Sequence, residues 1–217
     1  MKEPEITVDQ DLLQLISELD EFKGKWLALK TMSPERLQQL RKVATIESVG
    51  SSTRIEGAKF SDAQVETLLS NLTSTALKTR DEQEVAGYAE VMDLIFQSYE
   101  DLHLTENHIR QLHQQLLRHS NKDERHRGDY KTLSNHVVAK DVKGRDIGIV
   151  FETASPFDTP REMEALVKWT AKAIDEASMH PLLIIAVFCV LGYPPVSGWQ
   201  WKVVAYFDHV NVIARRI

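Results

Sequence analysis

A single cysteine, Cys189, is all the thiol this 217-residue chain contains. One thiol excludes an intramolecular disulfide and fits a reducing compartment, so a cytoplasmic location is the expectation. Its neighbours Val187, Phe188 and Val190 are apolar, which predicts an inert, buried thiol rather than a nucleophile. Basic runs are missing as well. With a net charge of −6, the chain lacks the positive footprint that nucleic acids and anionic membranes select, and neither is expected as a partner. The longest apolar run, Leu182 to Leu191, is too short to cross a bilayer and reads as a buried helix, and no signal-peptide pattern opens the chain. Metal-ligand spacing is also wanting. His103, His108, His113 and His119 lie on or near one helix, but His108 and His113 are five residues apart, which puts them on different faces. His126, His136 and His180 sit in loop, strand-edge and helix-start positions. No metal site and no catalytic histidine is expected from them.

What is present is helical periodicity. Leu12, Leu13, Ile16, Leu19, Phe22, Trp26 and Leu29 recur at helical spacing from about Val8, with a break expected near Gly24. Ser33-Pro34-Glu35 starts a second helix, carrying Leu37, Leu40, Val43 and Ile46 toward Glu56 and stopping at Gly57. Ser61 and Gln64 form a capping-box pair ahead of a third. After a polar linker, helices are expected from Asp81 to about Tyr99 and from a Thr105 cap through Leu116. The period then changes. Val137, Val138, Ile147, Ile149 and Phe151 flank Lys143-Gly144-Arg145, which predicts a β-hairpin. Thr159-Pro160-Arg161-Glu162 reads as a capping box and proline-led helix start, and His180-Pro181 opens the last apolar helix. The fold class expected is mainly α with one hairpin.

The order of these features resembles the Fic family of AMP-transferases over roughly residues 20 to 190: a long helix ending in Ser52-Thr53-Arg54-Ile55-Glu56-Gly57, a helical core, Gly128-Asp129-Tyr130-Lys131, a hairpin, and His180-Pro181-Leu182. The resemblance implies that Ser52, Glu56 and Gly57 form an inhibitory motif, whose glutamate engages an active-site arginine and keeps the γ-phosphate of ATP from seating productively. A plainer reading of the same residues is a solvated Glu56 at a helix end and Gly57 as a left-handed cap. The hairpin resembles the family's flap, which holds an extended target segment by strand addition. On that likeness the docking residues are Thr132, Leu133, Asn135, Val137 and Ile149, within 132–139 and 147–151. The plainer reading is a surface hairpin. By resemblance the intact family uses ATP and magnesium on protein targets, and a homo-oligomer is compatible with the sequence.

The family's chemistry needs His-x-Phe-x-Asp/Glu-Gly-Asn-Gly-Arg-x-x-Arg directly after the helix that corresponds to Pro181 to Val190. Here the chain reads Leu191-Gly192-Tyr193-Pro194-Pro195-Val196-Ser197-Gly198-Trp199-Gln200-Trp201-Lys202, with no residue of the motif in place. No catalytic residue is therefore assigned, and no productively bound ATP or magnesium is expected. The genetic code supplies an account. Trp-Gln-Trp-Lys at 199–202 requires TGG-CAR-TGG-AAR, which one base later reads Gly, Asn or Ser, Gly, and Lys or Arg. The same shift permits Ala-Ile-His-Pro-Phe-Gln-Asp under 192–198 and Leu-Ser-Arg from Val203 on. A frameshift near Val190 or Leu191 follows, with Pro194-Pro195 interrupting regular structure and Trp199 and Trp201 as accidental aromatics.

The expected organisation is an N-terminal helical region with the inhibitory helix over 1–80, an incomplete core with the flap over 81–190, and an out-of-frame tail over 191–217. The expected function is that of a degenerate Fic-type protein, ancestrally an ATP-dependent protein adenylyltransferase acting on hydroxyls. Two other readings stand beside it: an active enzyme whose C-terminus is misread, and a non-catalytic binding module.

Overall fold

In the computed structural model, residues 6–28, 33–55, 57–72, 76–99, 101–121 and 124–192 are described. Within them the chain forms α1 (Gln10–Ala28), α2 (Pro34–Ile55), α3 (Asp62–Ser70), α4 (Arg80–Ser98), α5 (Glu106–Leu116), a short 3-10 turn (Glu124–His126), β1 (Val137–Lys140), β2 (Asp146–Phe151), α6 (Thr159–Asp175) and α7 (Pro181–Gly192). Local chemistry explains most boundaries. Ser61 and Thr79 each close a full capping box, with Gln64 and Glu82 respectively, and the Thr105 hydroxyl accepts from the His108 amide. Asp9 rather than Val8 begins α1, its carboxylate accepting from the Leu12 amide at 2.8 Å.

Two expectations are corrected here. α1 runs unbroken through Gly24, because an isolated glycine costs a helix only about 1 kcal/mol. At α6 the expected Thr159 cap is absent. Asp158 precedes the helix without a side-chain cap, and the Thr159 hydroxyl donates back to the Ser155 carbonyl at 2.8 Å. Pro160 still occupies the first turn, where its missing N–H is harmless.

The main core is built by α2, α3, α4 and α5. Val49, Val65, Val85, Met92, Ile95 and Leu112 are its most deeply buried side chains. Gly87 sets the approach of α4 to α5: a Cβ there would lie 2.1 Å from the Leu116 carbonyl oxygen. A second cluster joins Ile109 of α5, Met163 and Leu166 of α6, and Phe188 of α7. The hairpin is antiparallel, pairing Val138 with Ile149 and Lys140 with Asp146, with two register irregularities. Gly144 turns it at φ +77°, a conformation that needs glycine.

Candidate functional site

Three pieces of the scaffold carry the residues that the sequence singles out. The first is the C-terminal end of α2. Gly57 adopts φ +98°, its N–H donates to the Arg54 carbonyl at 2.9 Å, and the Ala58 N–H donates to the Thr53 carbonyl at 3.0 Å. That is a complete Schellman termination, and the left-handed cap is why glycine stands there. The preceding turn is fastened on two sides. The Tyr88 hydroxyl of α4 donates to Ser52 Oγ at 3.0 Å, and the Arg54 guanidinium bonds the Phe60 carbonyl at 3.1 Å and the Asp62 carboxylate at 2.7 Å. Burial pushes the Tyr88 hydroxyl above its ordinary pKa, with the Ser52 contact opposing the shift. Buried Thr53 returns its hydroxyl to the Val49 carbonyl. Ser52 and Gly57 thus take defined places, while Glu56 lies outside the described residues.

The second piece is the Gly128 loop, folded onto α5. The Gly128 N–H donates to Nδ1 of buried His113 at 3.1 Å, and the Arg110 guanidinium holds the Gly128 carbonyl at 2.6 Å and the Asp129 carboxylate at 2.8 Å. A side chain at Gly128 would meet the Arg110 carbonyl at 3.1 Å, and φ is +71°. The Arg110 guanidinium also stacks over the Tyr130 ring. Burial, and after it the neighbouring Glu106 carboxylate, pushes the Tyr130 hydroxyl well above the ordinary tyrosine range. His113 is accordingly a structural acceptor.

The third piece is the hairpin and its base. Lys131 Nζ donates to Asn135 Oδ1 and to Thr153 Oγ1, both at 2.9 Å, and the Thr153 amide donates to His136 Nδ1 at 3.2 Å. Burial lowers the Lys131 pKa. At the tip, the Asp141 carboxylate accepts from the Lys143 and Arg145 amides and from the Arg145 guanidinium, and these bonds hold its pKa below the usual carboxylate range, the Arg145 backbone bond foremost. Of the five residues expected to dock a target, Val137 and Ile149 are in strands. Thr132, Leu133 and Asn135 precede β1, and Asn135 belongs to the hydrogen-bond network at the hairpin base. The bonds of Thr153 to Lys131 and Asn135 join residues 22 and 18 apart in sequence, so no local pattern signals them. Both strands keep a free edge among the described residues, and Ile147, Ile149 and Val150 are exposed.

The last described element is α7. Cys189 is half-buried there rather than sequestered, and Val190 is 70 % exposed. The positions expected to carry the missing motif, and the aromatics Trp199 and Trp201, lie outside the described residues. Among the described residues no group of three or more His, Cys, Asp and Glu side chains is placed to hold a metal ion, and no helix is long and apolar enough to cross a membrane.

No family model and no curated protein matches the sequence. Solved structures do match in fold. A Fic domain containing signaling protein from Bacteroides thetaiotaomicron superposes with a TM-score of 0.72 at 22% identity, over 88% of this chain and 72% of that one. A Fic family protein from Desulfovibrio desulfuricans superposes with a TM-score of 0.74 at 18% identity, over 99% of this chain. The chain spans 61% of the length of that second protein. The fold is therefore the Fic fold, mainly helical with a small antiparallel hairpin.

Proposed function

We propose that this chain is a degenerate Fic-type protein: the scaffold of a protein adenylyltransferase without the segment that performs AMP transfer. The observation that carries the reading is a juxtaposition. The chain has the Fic fold, with its glycine-capped α2, Gly128 loop and hairpin, yet residues 191–202 supply no histidine, carboxylate or arginine. That donor set does not fit ATP with magnesium. It offers no base for a target hydroxyl, no acid for the ion and no arginine for the phosphates. No catalytic step is assigned to the chain as it stands.

A second reading, an active enzyme with a misread C-terminus, is favoured by the codons required under Trp199 to Lys202, which permit Gly-Asn-Gly-Arg one base out of register. The third, α2 acting on another protein, is opposed by the bonds of Ser52 to Tyr88 and Arg54 to Asp62, which fasten α2 to its own core.

The test is the nucleotide sequence at Val190 and Leu191, followed by construction of the neighbouring-frame gene. The chain as it stands transfers no labelled AMP from ATP, with or without Glu56→Gly. The repaired chain transfers it, and more so with Glu56→Gly, because the inhibitory glutamate regains its arginine. Transfer by the unrepaired chain overturns the proposal; a locus without Gly-Asn-Gly-Arg in the neighbouring frame overturns its frameshift origin.

A further inference from the structure

Among the described elements, α1 is a 19-residue helix that lies lengthwise against none of the others. Five of its apolar residues follow a seven-residue repeat, with Leu12, Leu19 and Trp26 at the a positions and Leu15 and Phe22 at the d positions, while Leu13 lies at b and Ile16 at e. The stripe extends along a helix about 28 Å long and is largely uncovered: Leu15 is 57%, Leu19 52% and Phe22 62% exposed. Phe22 and Trp26 already stack on each other. One contact of α1 with the rest of the chain, Asp20 Oδ1 to His180 Nε2 at 3.4 Å, is made from a b position, outside the stripe.

We propose that a second copy of this chain covers the stripe, with the two α1 helices packed antiparallel about Ser17. Self-complementarity selects this occupant. In an antiparallel pair a positions face d positions, and a dyad at Ser17 puts Leu12 opposite Phe22 and Leu15 opposite Leu19 of the other copy, with Val8 at the end opposite Trp26. The same dyad aligns the charges. Acidic residues gather at the start of α1 and basic residues at its end, so Asp9 meets Lys23 and Asp11 meets Lys25 at both ends of the seam. Ile16 meets its own copy beside the dyad, and Glu18 opposing Glu18 is the one like-charged contact. Parallel pairing retains just the attraction of Glu18 to Lys23 and leaves Asp9 and Asp11 with no basic partner across the seam. One axis satisfying both the apolar layers and the end charges is what a C2 interface requires and what a foreign partner does not.

The experiment is sedimentation equilibrium on the full chain across a concentration series. A reversible dimer is expected. Leu19→Asp, at an exposed position that leaves the helical circular dichroism unchanged, weakens it at least a hundredfold by placing a charge in a central layer. Lys25→Glu weakens it about tenfold, and adding Asp11→Lys restores it. Orientation is read in a Cys189→Ser background by mixing Leu12→Cys chains with Phe22→Cys chains under mild oxidation, where mixed disulfides are expected in excess over like pairs. A monomer at all concentrations overturns the proposal. So does a dimer indifferent to Leu19→Asp, an excess of like-pair disulfides, or a full chain that stays monomeric while a chain ending at Gly192 dimerises, because the tail then covers the stripe.

Discussion

The α2–α5 body and the α6–α7 end of this molecule differ in how their apolar surface is covered. In the body α4 packs against α2, α3 and α5, and its residues Val85, Met92 and Ile95 are closed in from several sides. At the other end α7, the most apolar of the described helices, packs chiefly against α6, burying Ile184, Ile185, Val187 and Phe188 while Val190 stays open. The difference teaches that α4 is closed in by three described helices, whereas α7 has one main neighbour among the described elements.

The most severe way to break the body is at its closest approach. Gly87→Val drives a side chain into the Leu116 carbonyl, and a loss of at least about 3 kcal/mol is expected, read as failure to fold or a large fall in the denaturant midpoint. Truncations compare the two regions directly. Ile95→Ala is expected to cost about 3 kcal/mol and to lower one cooperative transition. Phe188→Ala removes more atoms, yet hydrogen exchange should show α7 loosening while α2–α5 amides stay protected. Equal loss of protection in both regions would show that the ends are coupled and that the contrast is false.

Smaller changes sharpen the picture. Tyr88→Phe deletes the bond to Ser52 and is expected to cost about 1 kcal/mol, with faster exchange confined to the last turn of α2. Val190→Ser, at a position already in water, is expected to alter stability by under about 0.5 kcal/mol while raising the concentration at which the chain aggregates. The least effect is at the hairpin tip. Because the Asp141 pKa is depressed in the folded chain, its contribution is present above the ordinary carboxylate range and is lost as pH falls through the lowered value. Acid should therefore speed amide exchange in 141–146, and Asp141→Asn should remove that pH dependence without moving the global transition.

Local chemistry by itself determined a large share of this protein. The caps at Ser61 and Thr105, the stop at Gly57 and the turn at Gly144 are each set by a side chain or glycine acting within a few residues, so they could be read directly from the sequence. The resemblance to Fic proteins rested on the order of such features, and the fold carries it. The sequence also determined what is missing: no arrangement of the chain can supply a histidine, a carboxylate or an arginine from residues 191–202. Tertiary structure alone decided the rest. Gly128 packs on Arg110 and His113, Lys131 meets Thr153, and Ser52 meets Tyr88 across separations of 15 to 36 residues. No local period encodes such pairs. The exposure of α1 is of the same kind: its repeat is plain in the sequence, but whether a neighbour covers the stripe depends on where the chain's other helices go.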